Sequence, residues 1–205
     1  MAELDELVDY LIKPYKKDED KAYVLLNWIV NFVDYDEYRY KKIEENNATP
    51  RDLSEKIPEQ GDILKTRLGV CEDISDLYVQ MLGKAQIKAH KITGCLTSEK
   101  WKKGKDCDNP HAWVGFSLDD QWYLADPTLA MGAASVLGEV NTKRRYKHEV
   151  KKRERMTAKT YDSRNRRLNT AWFKTDPAKM AQDHQPEVEE WLLLKTRDRK
   201  NQNLK

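Results

Sequence analysis

The chain has 205 residues, a formal net charge of +2, and 35 % charged against 39 % hydrophobic residues, a balance that suits one domain with a real core and a densely charged surface. No run approaches the roughly 18 apolar residues of a membrane span. The acidic opening Met1-Ala-Glu-Leu-Asp-Glu-Leu lacks the apolar stretch of a secretory signal, which for a chain that starts there points to the cytoplasm.

In chain order, residues 4–12 and 22–33 read as amphipathic helices, the second with acidic residues at its start. Residues 44–59, with Asn46-Asn47, Pro50 and Pro58, read as loop and a short helix. Gly69 then permits a tight turn, and the run after it places Ile74, Leu77, Tyr78, Met81 and Leu82 at helical spacing. Residues 87–96 alternate as a strand. Cys95 and Cys107 flank a lysine-rich loop; they could bridge in an oxidising compartment, but in a cytosolic chain they are expected as free thiols. Residues 109–118 and 121–127 form a hairpin around Asp119-Asp120, a pair that suits a two-residue turn. Residues 141–167 depart in composition: from 143 to 167 there are twelve Lys or Arg against three Asp or Glu. Such a run could touch nucleic acid, anionic lipid or an acidic protein, although a solvated surface insertion explains it as well.

Three residues carry the chemistry. Cys71 stands in Leu68-Gly-Val-Cys-Glu-Asp-Ile-Ser at a helix start, where unpaired N–H groups and the positive end of the helix dipole favour thiolate over thiol. His111 opens one hairpin strand in Asn109-Pro-His-Ala-Trp, and Asp126 ends the other in Trp122-Tyr-Leu-Ala-Asp-Pro-Thr. If Leu118 faces Gln121, Trp113 falls opposite Asp126, and His111 and Asp126 become diagonal neighbours on one face. Their backbones are then roughly 7–8 Å apart, within reach of long side chains. A slip of one residue would separate them. Thiol, imidazole and carboxylate are the groups that nucleophilic catalysis at an acyl carbon needs. The four histidines, His90, His111, His148 and His184, are scattered without ligand spacing and no Cys-x-x-Cys occurs, so neither a structural zinc nor another cofactor is expected.

The blocks Gly-Val-Cys, His-Ala-Trp and Trp-Tyr-x-x-Asp-Pro-Thr resemble the transglutaminase-like superfamily. The segment from Asp20 through Asn27-Trp-Ile to Tyr35-Asp is similar to the helix that precedes its core. The run from Trp172-Phe-Lys-Thr-Asp-Pro to His184-Gln-Pro and Trp191-Leu-Leu is similar to the closing segment of the kyphoscoliosis-peptidase and cytokinesis-protein branch. The resemblance covers most of residues 18–132 and resumes at about 170–194, leaving the basic stretch as an insertion in one domain spanning 1–205. It implies an α+β papain-like core in which the helix bearing the nucleophile packs on an antiparallel sheet. It also implies Cys71 as nucleophile, His111 as general base and acid, and Asp126 as the group orienting His111. The oxyanion donors it implies are the Cys71 backbone N–H and one group upstream, with Trp28, Asn31 and Tyr35 as candidates. Val114 and Gly115 stand where many members carry Asn and Glu, and the lack of zinc-ligand spacing separates the chain from the zinc-bearing peptide N-glycanases of this fold.

The expected activity is hydrolysis or transfer at an amide of a peptide or protein substrate. The other class is a non-catalytic interaction module that binds a partner through the basic insertion.

Overall fold

The computed structural model describes residues 2–46, 63–101, 104–132, 148, 151–152 and 168–193. Helices α1 (Ala2–Ile12) and α2 (Asp18–Phe32) are the two amphipathic helices read from periodicity. Asp18, Glu19 and Asp20 fill the first turn of α2, where negative charge offsets the exposed N–H groups. A short strand β1 (Asp34–Tyr35) leads into α3 (Glu37–Asn46). Periodicity did not reveal α3, because its sequence is largely polar. Asp36 caps it by accepting the Arg39 N–H at 3.0 Å, and the Arg39 guanidinium pairs with Asp73.

After α4 (Ile63–Thr66), strand β2 (Leu68–Gly69) pairs in parallel with β1, setting Asp34 beside Leu68 and Tyr35 beside Gly69. Helix α5 (Cys71–Lys84) follows at once. Gly69 is therefore a strand residue and not a turn. What it requires is space, since a Cβ there would lie 2.7 Å from Ile63 Cδ1 and 3.2 Å from Asp73 Cβ.

Four antiparallel strands make the main sheet in the order β5-β4-β3-β6: β3 (Ala89–Leu96), β4 (Pro110–Leu118), β5 (Gln121–Ala125) and β6 (His184–Pro186). Asp119 and Asp120 both take positive φ, 49° and 59°, as a two-residue turn between right-twisted strands demands. Leu118 accordingly faces Gln121, and the pairing continues to Val114 with Ala125, the register expected. Beyond β5 lie α6 (Pro127–Ala130), a 3₁₀ turn (Thr170–Trp172), α7 (Pro177–Met180) and a second 3₁₀ turn (Glu189–Leu192).

Alternate residues of β4 supply two cores. Val114 and Phe116 join Leu25, Leu26 and Ile29 of α2 and Ile74, Tyr78, Met81 and Leu82 of α5 in the larger one. Each such side chain contributes roughly 1.5–3 kcal/mol when fully buried. Trp113 joins Ile92, Leu124 and Met180 in the smaller. The Tyr78 hydroxyl donates to the Ala22 carbonyl at 3.0 Å, tying α5 to α2 through a buried polar contact. The result is the expected α+β arrangement, a nucleophile-bearing helix packed on an antiparallel sheet.

Two further expectations meet the coordinates differently. Cys95 and Cys107 are not free thiols but a disulfide, with Cα atoms 5.9 Å apart. Strand pairing explains this: Cys95 sits opposite Pro110, and the chain folds back so that Cys107 reaches it. The basic stretch 141–167 lies outside the described residues except for His148, Lys151 and Lys152, as do residues 47–62.

Candidate active site

Cys71 is the first residue of α5, and local contacts fix that helix start. The Val70 N–H donates to Asp73 Oδ2 at 2.9 Å, the side chain of the third helical residue closing back on the cap. The same carboxylate takes the Arg39 guanidinium, so α3 clamps the turn that presents the thiol. One turn further on, the Ser75 hydroxyl donates to the Ala112 carbonyl at 3.0 Å in a fully buried contact. That bond pins the helix to the strand residue next to His111, and so fixes the offset between thiol and imidazole.

His111 Nε2 lies 2.7 Å from Asp126 Oδ2, as the diagonal placement across the hairpin requires. With Nε2 so engaged, Nδ1 is the ring nitrogen left for Cys71, whose charge helps raise the imidazole. Burial is the largest influence on His111 and disfavours its charge. The charge and hydrogen bond of Asp126, and then the neighbouring Cys71, outweigh it and push the imidazole up to about 10. Asp126 is fully buried, which by itself would raise its carboxyl. The charge and hydrogen bond of His111, with those of His184, prevail and hold it well below the usual carboxylate range. Asp126 is also the N-cap of α6: its Oδ1 accepts the Leu129 N–H at 2.9 Å, and Pro127 occupies the first helical position. One carboxylate thus both hydrogen-bonds His111 and starts a helix.

Of the three upstream candidates, Tyr35 is the one that strand pairing places beside the Cys71 turn. The β1–β2 pairing sets it opposite Gly69, two residues before Cys71. Burial, reinforced by the neighbouring Cys71 and Tyr40, raises this phenol well above its ordinary range, so it remains a donor. Trp28 is otherwise engaged, stacked on Phe32 with centroids 5.3 Å apart and with Arg67 4.8 Å over its ring. Asn31 donates to the Asn27 carbonyl of its own helix at 2.8 Å.

The sequence reading missed His184. Its Nε2 stands 3.0 Å from Asp126 Oδ2 across a separation of 58 residues. Although the histidines are scattered along the chain, the fold brings two of them onto one carboxylate oxygen. The available signal was the closing segment, where the resemblance resumes and His184 sits. Among the described residues, His111, Asp126 and His184 offer ligand atoms within 4.8 Å of one another. Two ligands of a tetrahedral ion stand roughly 3.3 Å apart. Separations of 2.7 and 3.0 Å to a single shared oxygen are instead those of hydrogen bonds.

The family departure at position 115 also acquires a reason. A Cβ on Gly115 would lie 2.6 Å from Trp191 Cζ3; Trp191 stacks on His90 at 4.8 Å and meets Trp122 edge-on at 5.0 Å. Glycine there makes room for an indole from the closing segment.

The model of the transglutaminase-like superfamily matches residues 5–127. Over 194 residues, 94 % of the chain, the sequence is 23 % identical to kyphoscoliosis peptidase of Homo sapiens and 22 % identical to that of Mus musculus. Those matches take up 24 % of each relative, so the chain spans about a quarter of the length of these curated relatives. The crystal structure of a TGase aligns with a TM-score of 0.44 and 17 % identity, over 62 % of this chain and 32 % of that one.

Proposed function

The chain belongs to the transglutaminase-like superfamily, and from that premise we propose that it is a cysteine-dependent acyl-transfer enzyme acting on peptide or protein amides, with Cys71, His111 and Asp126 as its catalytic residues. One observation carries the reading: a buried imidazole with the Asp126 carboxylate 2.7 Å from one nitrogen, on a strand that the Ser75–Ala112 hydrogen bond ties to the helix beginning at Cys71, the only free cysteine. An orienting carboxylate, a base and a nucleophile in that order are what acyl transfer uses.

The steps follow from the contacts. His111 Nδ1 takes the Cys71 proton, and the thiolate attacks the amide carbonyl carbon. The carbonyl oxygen becomes an oxyanion facing the Cys71 N–H and the Tyr35 hydroxyl. A phenol kept protonated can donate there throughout the cycle. Collapse breaks the C–N bond, His111 returns its proton to the departing amine, and a thioester remains on Cys71. His111 then takes a proton from water, or from an acceptor amine, as that molecule attacks the thioester and releases Cys71. The relatives carry the name peptidase, which favours water as acceptor.

The test incubates a proteome-derived peptide mixture containing a tagged primary amine with wild-type protein and with Cys71→Ala, and reads the products by mass spectrometry. New peptide termini that depend on Cys71 are expected; amine incorporation instead would identify an acyltransferase. No Cys71-dependent product of either kind would favour an interaction module, for which the basic residues 143–167 offer a polyanion-binding segment.

A further inference from the structure

The proposed chemistry leaves His184 without a task, yet it is among the most constrained polar side chains of the molecule. Its ring is 1 % exposed, edge-on to Trp113 at 5.1 Å and tilted against Trp172 at 5.5 Å. Nδ1 lies 2.5 Å from Asp183 Oδ1, and Nε2 lies 3.0 Å from Asp126 Oδ2. The titratable groups facing the ring are thus Asp183 beside it in the chain, Asp126 from the end of β5, and His111 of β4 with centroids 5.9 Å away. Both ring nitrogens meet carboxylate oxygens, so His184 satisfies both only with an N–H on each.

For Asp126 the consequence is geometric. A carboxylate held by one imidazole can turn about its last torsion and exchange oxygens. Here Oδ2 faces two imidazole nitrogens, from β4 and β6, while Oδ1 accepts a backbone N–H of α6. Donors on three separate elements leave the group one orientation. The backbone is shaped to permit this: Gly94 lies opposite His111 in β4 and opposite Pro186 in β6. A Cβ on Gly94 would fall 2.2 Å from the Gln185 carbonyl oxygen and 2.6 Å from Trp113 Cη2. Only glycine lets β6 approach closely enough to bring His184 onto Asp126.

We propose that His184 is a positioning residue for the acyl-transfer reaction: its Nε2–H holds the Asp126 carboxylate in the orientation that fixes the His111 tautomer, so that His111 Nδ1 faces Cys71. Asp183 in turn holds the His184 ring. The proposal rests on the acyl-transfer reading, and two measurements separate the two. Cys71, the chain's only free thiol, is alkylated with iodoacetamide from pH 5 to 9 in wild type, His184→Leu and His184→Gln, and ring-nitrogen NMR is recorded on ¹⁵N-labelled wild type.

Folded His184→Leu should lose about 10- to 100-fold in alkylation rate at pH 6, the scale of a misplaced catalytic group, while matching wild type at pH 9. His184→Gln sets an amide N–H near the place of Nε2 and should retain most of the low-pH rate. The NMR should show a proton on His184 Nε2. A folded His184→Leu with the wild-type profile overturns the proposal, as does equal loss in a folded His184→Gln. A wild-type ring lacking the Nε2 proton overturns it by itself, and this decides the matter even if neither variant folds. Wild-type Cys71 without low-pH reactivity would instead defeat the acyl-transfer reading.

Discussion

Two histidines meet on Asp126 from very different places in the sheet. His111 belongs to β4, a nine-residue strand paired on both sides, with Gly94 of β3 as its cross-strand partner. His184 opens β6, a three-residue edge strand paired on one side only. A central strand is positioned by its backbone ladder, so His111 inherits its place from hydrogen bonds that do not involve its side chain. The edge strand has three register pairs, and its histidine is held by side chains: Asp183, Asp126 and two indoles. The site is therefore built from one rigid contribution and one that depends on packing, and perturbations should separate the two.

The largest effect is expected at the oxygen they share. Asp126→Asn should lower turnover by roughly 10³–10⁴-fold with little change in substrate affinity, because an amide can hold the imidazole in the wrong tautomer. Steady-state kinetics with any substrate found by the peptide screen would check this, and unchanged turnover would detach Asp126 from the chemistry.

The disulfide probes the central strand. Cys95 and Cys107 are 12 residues apart and close the loop that enters β4 just ahead of His111. Cross-links over loops of this size stabilise by about 3 kcal/mol. Replacing both cysteines with serine should therefore lower denaturant stability by about that much, while Cys71 keeps its low-pH reactivity because the β3–β4 ladder remains. Gly94→Ala probes the edge. Forcing a methyl against the Gln185 carbonyl should cost about 1–3 kcal/mol and raise amide exchange selectively at Gln185 and Glu187, which pair with β3, whereas equal protection in both proteins would show that β6 tolerates the intrusion.

The smallest effect concerns pH and stability. Asp126 is held below its ordinary value, so its contribution is present above 3.8 and drains as pH falls below that. His111 is raised, so its contribution is full below 6.5 and drains as pH rises through about 10. The stability difference between wild type and Asp126→Asn should accordingly be widest between these limits and narrow on both sides in denaturant titrations.

The same contrast explains what could be read in advance. The hairpin register was legible because Asp119-Asp120 admits a two-residue turn and the residues beyond it pair without a bulge, which places His111 diagonally from Asp126. The position of Cys71 followed from helical spacing after it. Both are short-range signals. His184 answers to none: its partner is 58 residues away, and β6 is too short for alternation to declare it. Gly69 and Gly94 were illegible for a related reason, since each is required by an element that approaches from elsewhere in the chain. The disulfide was misjudged because compartment was weighed and strand pairing was not. Tyr35 was one of three upstream candidates, and only the parallel pairing of two-residue strands separates it from Trp28 and Asn31.

The most direct test of the central claim, that His111 activates Cys71, is the rate of Cys71 alkylation by iodoacetamide across pH 5 to 9 in wild type and in His111→Ala. With Cys95 and Cys107 bridged, Cys71 is the only free thiol to label. Wild type should hold a plateau well below pH 7, and His111→Ala should lose it and rise close to 100-fold between pH 6 and 8, as an ordinary thiol ionising at about 8.5 does. Superimposable profiles, both rising as an ordinary thiol, would contradict it.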